Sequence, residues 1–115
     1  MSDGFFAVCS STWLRVCALG INPAIAYLVL ASGTGHDNKT TSWSVNAIET
    51  YTGISRPRAK AAIQALIESR NVDQVKDGSR PQYHMHLADD PDLIWLPNSL
   101  VVGLGSEVPP VELLR

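Results

Sequence analysis

Four residues, Thr52-Gly53-Ile54-Ser55, separate two stretches with helical spacing. Upstream, Ala47, Ile48 and Tyr51 fall on one side of a helix that Ser44 can cap. Downstream, Ala59, Ala62, Ile63, Leu66 and Ile67 form one apolar stripe between Arg56 and about Arg70. Gly53 suits the end of the first helix because glycine takes a left-handed backbone without a side-chain clash. Ser55 suits the start of the second, and Ile54 is left between them to plug the core. A tight helix–turn–helix junction is therefore the strongest constraint on the fold.

The rest of the chain predicts an α+β, mainly helical, domain. Phe5 to Cys9 reads as a strand or extended arm. Ser10, Ser11 and Thr12 are each able to cap a short helix from Trp13 to Leu19, stopped by Gly20. Asn22 with Pro23 begins the next helix, and the near-continuous apolar run from Ala24 makes it the most buried one. Residues 33–39 are a loop by composition, and Thr40 to Ser44 is β-prone around Trp43. Val72–Lys76 and Pro81–Leu87, joined by Asp77-Gly78-Ser79-Arg80, read as a β-hairpin. After an acidic connector, residues 88–92, Ile94 to Leu100 reads as strand, turn and helix start.

Charge is unevenly placed along this framework. Residues 55–80 carry six bases against three acids, +3 in 26 residues, while the other 89 carry three bases and eight acids, −5. The overall charge of −2 argues against indiscriminate coating of nucleic acid, yet leaves room for a local basic patch. At 45% hydrophobic, the composition is too apolar for a disordered chain. The longest apolar run, Ala24 to Ala31, has 8 residues, against the roughly 20 that cross a membrane. No basic segment leads into a hydrophobic one at the N-terminus, so no signal peptide is read there. Cys9 and Cys17 are expected to be reduced core thiols of a cytoplasmic protein.

The segment Ile48 to Leu66, with its Gly53-Ile54-Ser55 turn and the hairpin that follows, resembles the winged helix-turn-helix family. Regulators of the MarR and GntR kinds carry it, as do N-terminal domains of plasmid and phage replication proteins. The resemblance covers roughly residues 20–87. It implies that Gly53 makes the left-handed turn, Ile54 plugs the core and Ser55 caps a recognition helix. It also implies that Ala59, Ile63 and Leu66 point inward. Glu49 departs from the family, which has a small residue there, and is expected to point to solvent.

Helix geometry gives an independent reason to place a ligand on this segment. At roughly 100° per residue the apolar stripe is centred nearly opposite Pro57, Ala61, Gln64 and Glu68. Arg56, Arg58 and Lys60 flank that outer face near the helix start, suited to phosphates and base edges together. Ala61 is small enough for a groove about 12 Å wide, and Gln64 suits adenine. Lys76 and Arg80 lie on the hairpin, where Arg80 is placed to reach a phosphate or the minor groove. The expected site is therefore Ser55, Arg56, Pro57, Arg58, Lys60, Ala61, Gln64, Lys76 and Arg80, and the expected partner is double-stranded DNA. Glu68, on the same face, should lie beyond the groove or pair with a base.

Other constellations point to nothing catalytic. His84 and His86 alternate on one strand but have no further ligand cluster, so no metal is expected. Gly33-Thr34-Gly35 lacks the spacing and lysine of a phosphate loop. Trp13, Trp43 and Tyr51 fall on apolar faces and are expected in the core. The expectation is a DNA-binding protein without enzymatic activity or cofactor, and with no membrane partner.

The ends are read as additions to a core. Residues 1–19 form an N-terminal strand and short helix, 20–88 the winged helix-turn-helix core, and 89–115 an arm or the start of a second winged helix. The tail echoes the opening: both run strand, short helix, Leu-Gly (Leu19-Gly20; Leu104-Gly105) and then proline (Pro23; Pro109-Pro110). Its apolar residues Trp95, Leu96, Leu100, Val101 and Val102, with Phe5-Phe6, are expected to build a homodimer. The function expected is transcriptional regulation. The alternatives are a tandem replication-initiator fragment and a winged helix used for protein contacts.

Overall fold

A computed structural model describes residues 4–78 and 80–104, with side chains left out after Val101. It opens with strand β1 (Phe5–Cys9), helices α1 (Ser10–Cys17) and α2 (Ile21–Ser32), and a short strand β2 (Thr40–Thr41). Helices α3 (Val45–Thr52) and α4 (Arg56–Glu68) follow, then strands β3 (Val72–Lys76) and β4 (Gln82–Met85), then β5 (Leu93–Pro97) and α5 (Ser99–Leu104). The architecture is α+β and mainly helical, with two antiparallel sheets among the described residues, β1-β5 and β2-β4-β3.

The core forms around α2, whose Ala26, Tyr27, Val29, Leu30 and Ala31 are all buried. Ile48 of α3, Ala59, Ala62, Ile63 and Leu66 of α4, and Val72, Tyr83 and Met85 of the hairpin pack into the same cluster. The apolar stripe read from the sequence is thus the inner face of α4, with Ile67 half-buried at its edge. Ile54 packs partly buried against the cluster. The aromatics Trp13, Trp43 and Tyr51 do the same, with Trp13 tilted on Tyr27 at 6.1 Å and Trp43 stacked on Tyr51 at 5.2 Å. Gly33 is required by that second pair, because a Cβ there would lie 2.5 Å from the Trp43 ring.

Several helix starts differ from the sequence reading. α1 begins at Ser10, so Ser10, Ser11 and Thr12 lie inside its first turn and Cys9 takes the cap position. Two of the three hydroxyls reach across the fold: Ser10 Oγ donates to Asp92 at 3.4 Å, and Thr12 Oγ1 donates to the His86 carbonyl at 3.2 Å. α2 begins at Ile21 after Gly20, whose φ of 125° only glycine adopts readily, so Asn22 does not cap it. Pro23 is still tolerated, since first-turn N–H groups have no partner within the helix. Ser44 and Ser55 do occupy the cap positions of α3 and α4, but neither hydroxyl makes a capping bond.

The junction ends α3 at Gly53, which is left-handed at φ 75° and bonded by its N–H to the Glu49 carbonyl at 3.0 Å. α4 stops at Glu68, two residues short of Arg70. Arg70 itself turns left-handed at φ 64°, with Arg70 N–H on the Ile67 carbonyl and Asn71 N–H on the Leu66 carbonyl, both at 3.0 Å. These two bonds satisfy carbonyls that the helix end would otherwise leave open. Among the thiols, Cys9 is buried but Cys17, on the outer side of α1, is exposed and is not a core residue.

The two ends of the described chain meet. β1 pairs antiparallel with β5 from Phe5↔Pro97 to Cys9↔Leu93, and Phe6, Val8 and Val101 enter the common core. The tail therefore packs, in part, along its own chain. The expected proline-started helix after Leu104 lies outside the described residues.

Candidate nucleic-acid interface

The interface begins with how α4 and the hairpin are fixed to each other. Asn71, 2% exposed, sits where α4 ends and β3 begins. Its side chain accepts from Arg15 Nε at 3.1 Å and donates to Ser69 Oγ at 2.8 Å, while its carbonyl accepts His86 N–H at 3.0 Å. These bonds tie α1, the end of α4 and the exit of β4 into one base, from which the hairpin projects. The hairpin register, Val72↔Met85 to Lys76↔Gln82, shifts between Gln74 and Lys76, a bulge that turns the distal strand. At its tip Asp77 Oδ1 accepts Gly78 N–H at 2.8 Å, and Gly78 is left-handed at φ 99°.

All nine residues singled out from the sequence are exposed. Six of them line three grooves, two of which are bordered by α4. Arg58 and Ala61 border a groove of about 220 Å³ with Asn22 and Pro23 at the start of α2. Lys60 and Gln64 face the hairpin across a second, of about 280 Å³, closed by Gln74, Gly78 and Tyr83. Lys76 and Arg80 border a third, of about 500 Å³, against the start of α3. Ser55, Arg56 and Pro57 stand at the helix start. Arg56 does not lie free there: its guanidinium donates to Asn46 Oδ1 at 2.6 Å and lies 3.9 Å from Glu49. It joins α4 to α3, and it explains how an exposed Glu49 is accommodated in this turn.

No protein-family model, curated protein or solved structure matches the chain. The surface is therefore read from its own chemistry.

Arg56–Glu49 is the single ion pair among the described residues. Arg58, Lys60, Lys76 and Arg80 thus present cations without a carboxylate partner among those residues. Glu68 is exposed at the far end of α4 and makes no ion pair with a described base. The sequence reading missed Ser42, Asn46 and Gln82, which share the third groove with Lys76 and Arg80. Asn46 carried a usable signal, just beyond the Ser44 cap; Gln82 shows itself only once the bulge sets the hairpin register.

No group of three or more His, Cys, Asp or Glu is placed to hold a metal among the described residues. His84 and His86 are half-buried, and the His86 N–H bonds the Asn71 carbonyl. Burial pushes the Cys9 thiol up, but donors from Ser11, the Ala88 and Thr12 backbones and the Thr12 hydroxyl outweigh it, leaving it at about 6. Cys9 is 1% exposed. No described helix is long and apolar enough to cross a membrane.

Proposed function

We propose that the chain is a winged helix-turn-helix domain that binds double-stranded DNA and regulates transcription, acting without catalysis or a cofactor. One observation carries the reading: the exposed outer face of α4, with Arg58, Lys60, Ala61 and Gln64, lies beside a projecting hairpin that carries Lys76 and Arg80. In this mechanism α4 enters the major groove. Ala61 permits close approach, Gln64 meets a base edge, Arg58 and Lys60 hold the two flanking strands, and Arg80 contacts the adjacent backbone. Arg56, engaged with Asn46 and Glu49, fixes the angle between α3 and α4 instead of touching DNA. The left-handed Gly53 and the partly buried Ile54 set the same angle.

Selection from random duplexes, followed by affinity measured across salt, tests this. A defined motif and an affinity that falls with salt are expected, because cations that meet phosphates release counterions. Salt-independent or undetectable binding would return the surface to protein contacts.

A second reading, a tandem winged-helix replication protein, is favoured by one observation. The β1–α1 unit recurs as β5–α5, and the two strands pair antiparallel. Unwinding of an origin-like duplex by a longer form of the protein, and not by residues 1–115, would support that role over regulation.

A further inference from the structure

We propose that the groove between the start of α3 and the hairpin is a phosphate clamp, which grips one backbone phosphate of the DNA strand beside the groove that α4 enters. The proposal rests on the DNA-binding reading and deepens it, since none of α4's own outer residues lines this groove.

The cavity, about 500 Å³, is larger than the two grooves that α4 borders. Its wall on the hairpin side supplies Lys76, Arg80 and the amide of Gln82; the opposite wall supplies Ser42, Ser44 and Asn46. Two cations, two hydroxyls and two amides thus face a space wide enough for a tetrahedral anion. Among the described residues no carboxylate lines it. Asp77, the nearest acid along the hairpin, engages its Oδ1 with Gly78 N–H and Gln74 Nε2 at its own tip.

The α3 side is also short of acceptors. The first helical bond of α3 runs from Ile48 N–H to the Ser44 carbonyl at 3.2 Å, which leaves the earlier N–H groups without a partner inside the helix. Ser44, at the cap position, makes no capping bond, and the first turn has no acidic residue to serve instead. Asn46 Oδ1 is taken by Arg56, so its amide N–H₂ is the end that remains to donate. Every one of these polar side chains is therefore a cation, an amide or a hydroxyl able to donate. A phosphate oxygen accepts from both walls at once, so it would lock the hairpin to α3.

An acidic side chain placed at the cap separates this role from a structural one. Ser44→Asp supplies the missing acceptor for α3 and is expected to melt at or above the wild-type temperature. The same carboxylate repels phosphate, so affinity for a mixed-sequence duplex at low salt is expected to fall about tenfold, with the slope of affinity against salt shallower by about one. Lys76→Gln is expected to weaken binding several-fold with the same change of slope, and gives the answer if the Asp variant fails to fold. Arg58→Ala serves as the control on α4. If Arg58→Ala weakens binding but Ser44→Asp and Lys76→Gln do not, the DNA reading stands and the clamp is overturned. If wild type shows no salt-dependent binding, both are overturned. A saturable amide shift at Asn46 and Ala47 with inorganic phosphate alone, joined to unchanged DNA slopes in the variants, would assign the groove to a free anion and overturn the clamp.

Discussion

Gly53 and Arg70 hold nearly the same left-handed backbone, φ 75° and 64°, at the ends of successive helices. A Cβ added at Gly53 would meet no heavy atom within 4 Å, so substitution there costs backbone strain alone. Gly53→Val is expected to lower stability by about 2 kcal/mol, since a β-branched residue tolerates this conformation poorly. Arg70→Gly is expected to raise it by about 0.5–1 kcal/mol, because a strained residue is relieved. Chemical denaturation of both variants checks the contrasting signs. Asp37 gives a pH signature: Thr40 O–H, then Thr40 and Lys39 N–H, hold its carboxyl at about 2. A depressed carboxyl stabilises the fold above its unfolded value, near ~4, and that contribution is lost as pH falls toward about 2. Asp37→Ala is expected to lose stability at neutral pH and to flatten this acid limb in melts taken across pH. Gly53 was legible because helix periodicity stopped on both sides of it. Arg70 was not, because nothing in its chemistry announces a left-handed turn.

At the scale of elements, α4 and the hairpin carry the case for DNA. Arg58→Ala and Lys60→Ala are each expected to leave the melting temperature unchanged, as both side chains are exposed, and to reduce the salt slope by about one per lost phosphate contact. Unchanged affinity and slope in both would remove the main support for the interface. The stripe of α4, the Gly53 turn and the hairpin were readable because each depends on residues a few positions apart. The start of α1 was not. Its Ser10 and Thr12 hydroxyls serve Asp92 and His86, 82 and 74 positions away, and sequence spacing carries no trace of such bonds. The division of six of the site residues among three grooves was hidden for the same reason, because α2 and α3 supply opposing walls.

For the molecule as a whole, the exposed apolar residues of the β1–β5 ribbon bear on association. Phe6 and Val101 are buried within the chain, but Phe5 and Trp95 remain 67% and 57% exposed, with Ile94 and Leu100 also exposed. We propose that these form the homodimer contact, which would leave both α4 helices free to read half-sites about one helical turn apart. Removing residues 93–115 would be a poor test, since it strips β1 of its partner. Trp95→Asp alters only an exposed position. Sedimentation at micromolar concentration is expected to give a dimer for wild type and a monomer for this variant, with equal melting temperatures. A wild-type monomer would sink the dimer. The excess of apolar residues in the tail was visible in the sequence, whereas its partition between the core and the surface depended on the β1–β5 register.

That register also sets an order of events. Phe5 and Pro97 are partners at opposite ends of the described chain, so closing the ribbon spans a very large loop, whereas α3, the turn, α4 and the hairpin find one another locally. Local contacts form first and distant ones late. The ribbon is then absent from the folding transition state, and Phe6→Ala or Leu96→Ala is expected to speed unfolding several-fold while leaving the folding rate nearly unchanged in stopped-flow chevrons. The pairing of the two ends would act as a latch on lifetime: it sets how long the folded molecule persists, not how fast it forms.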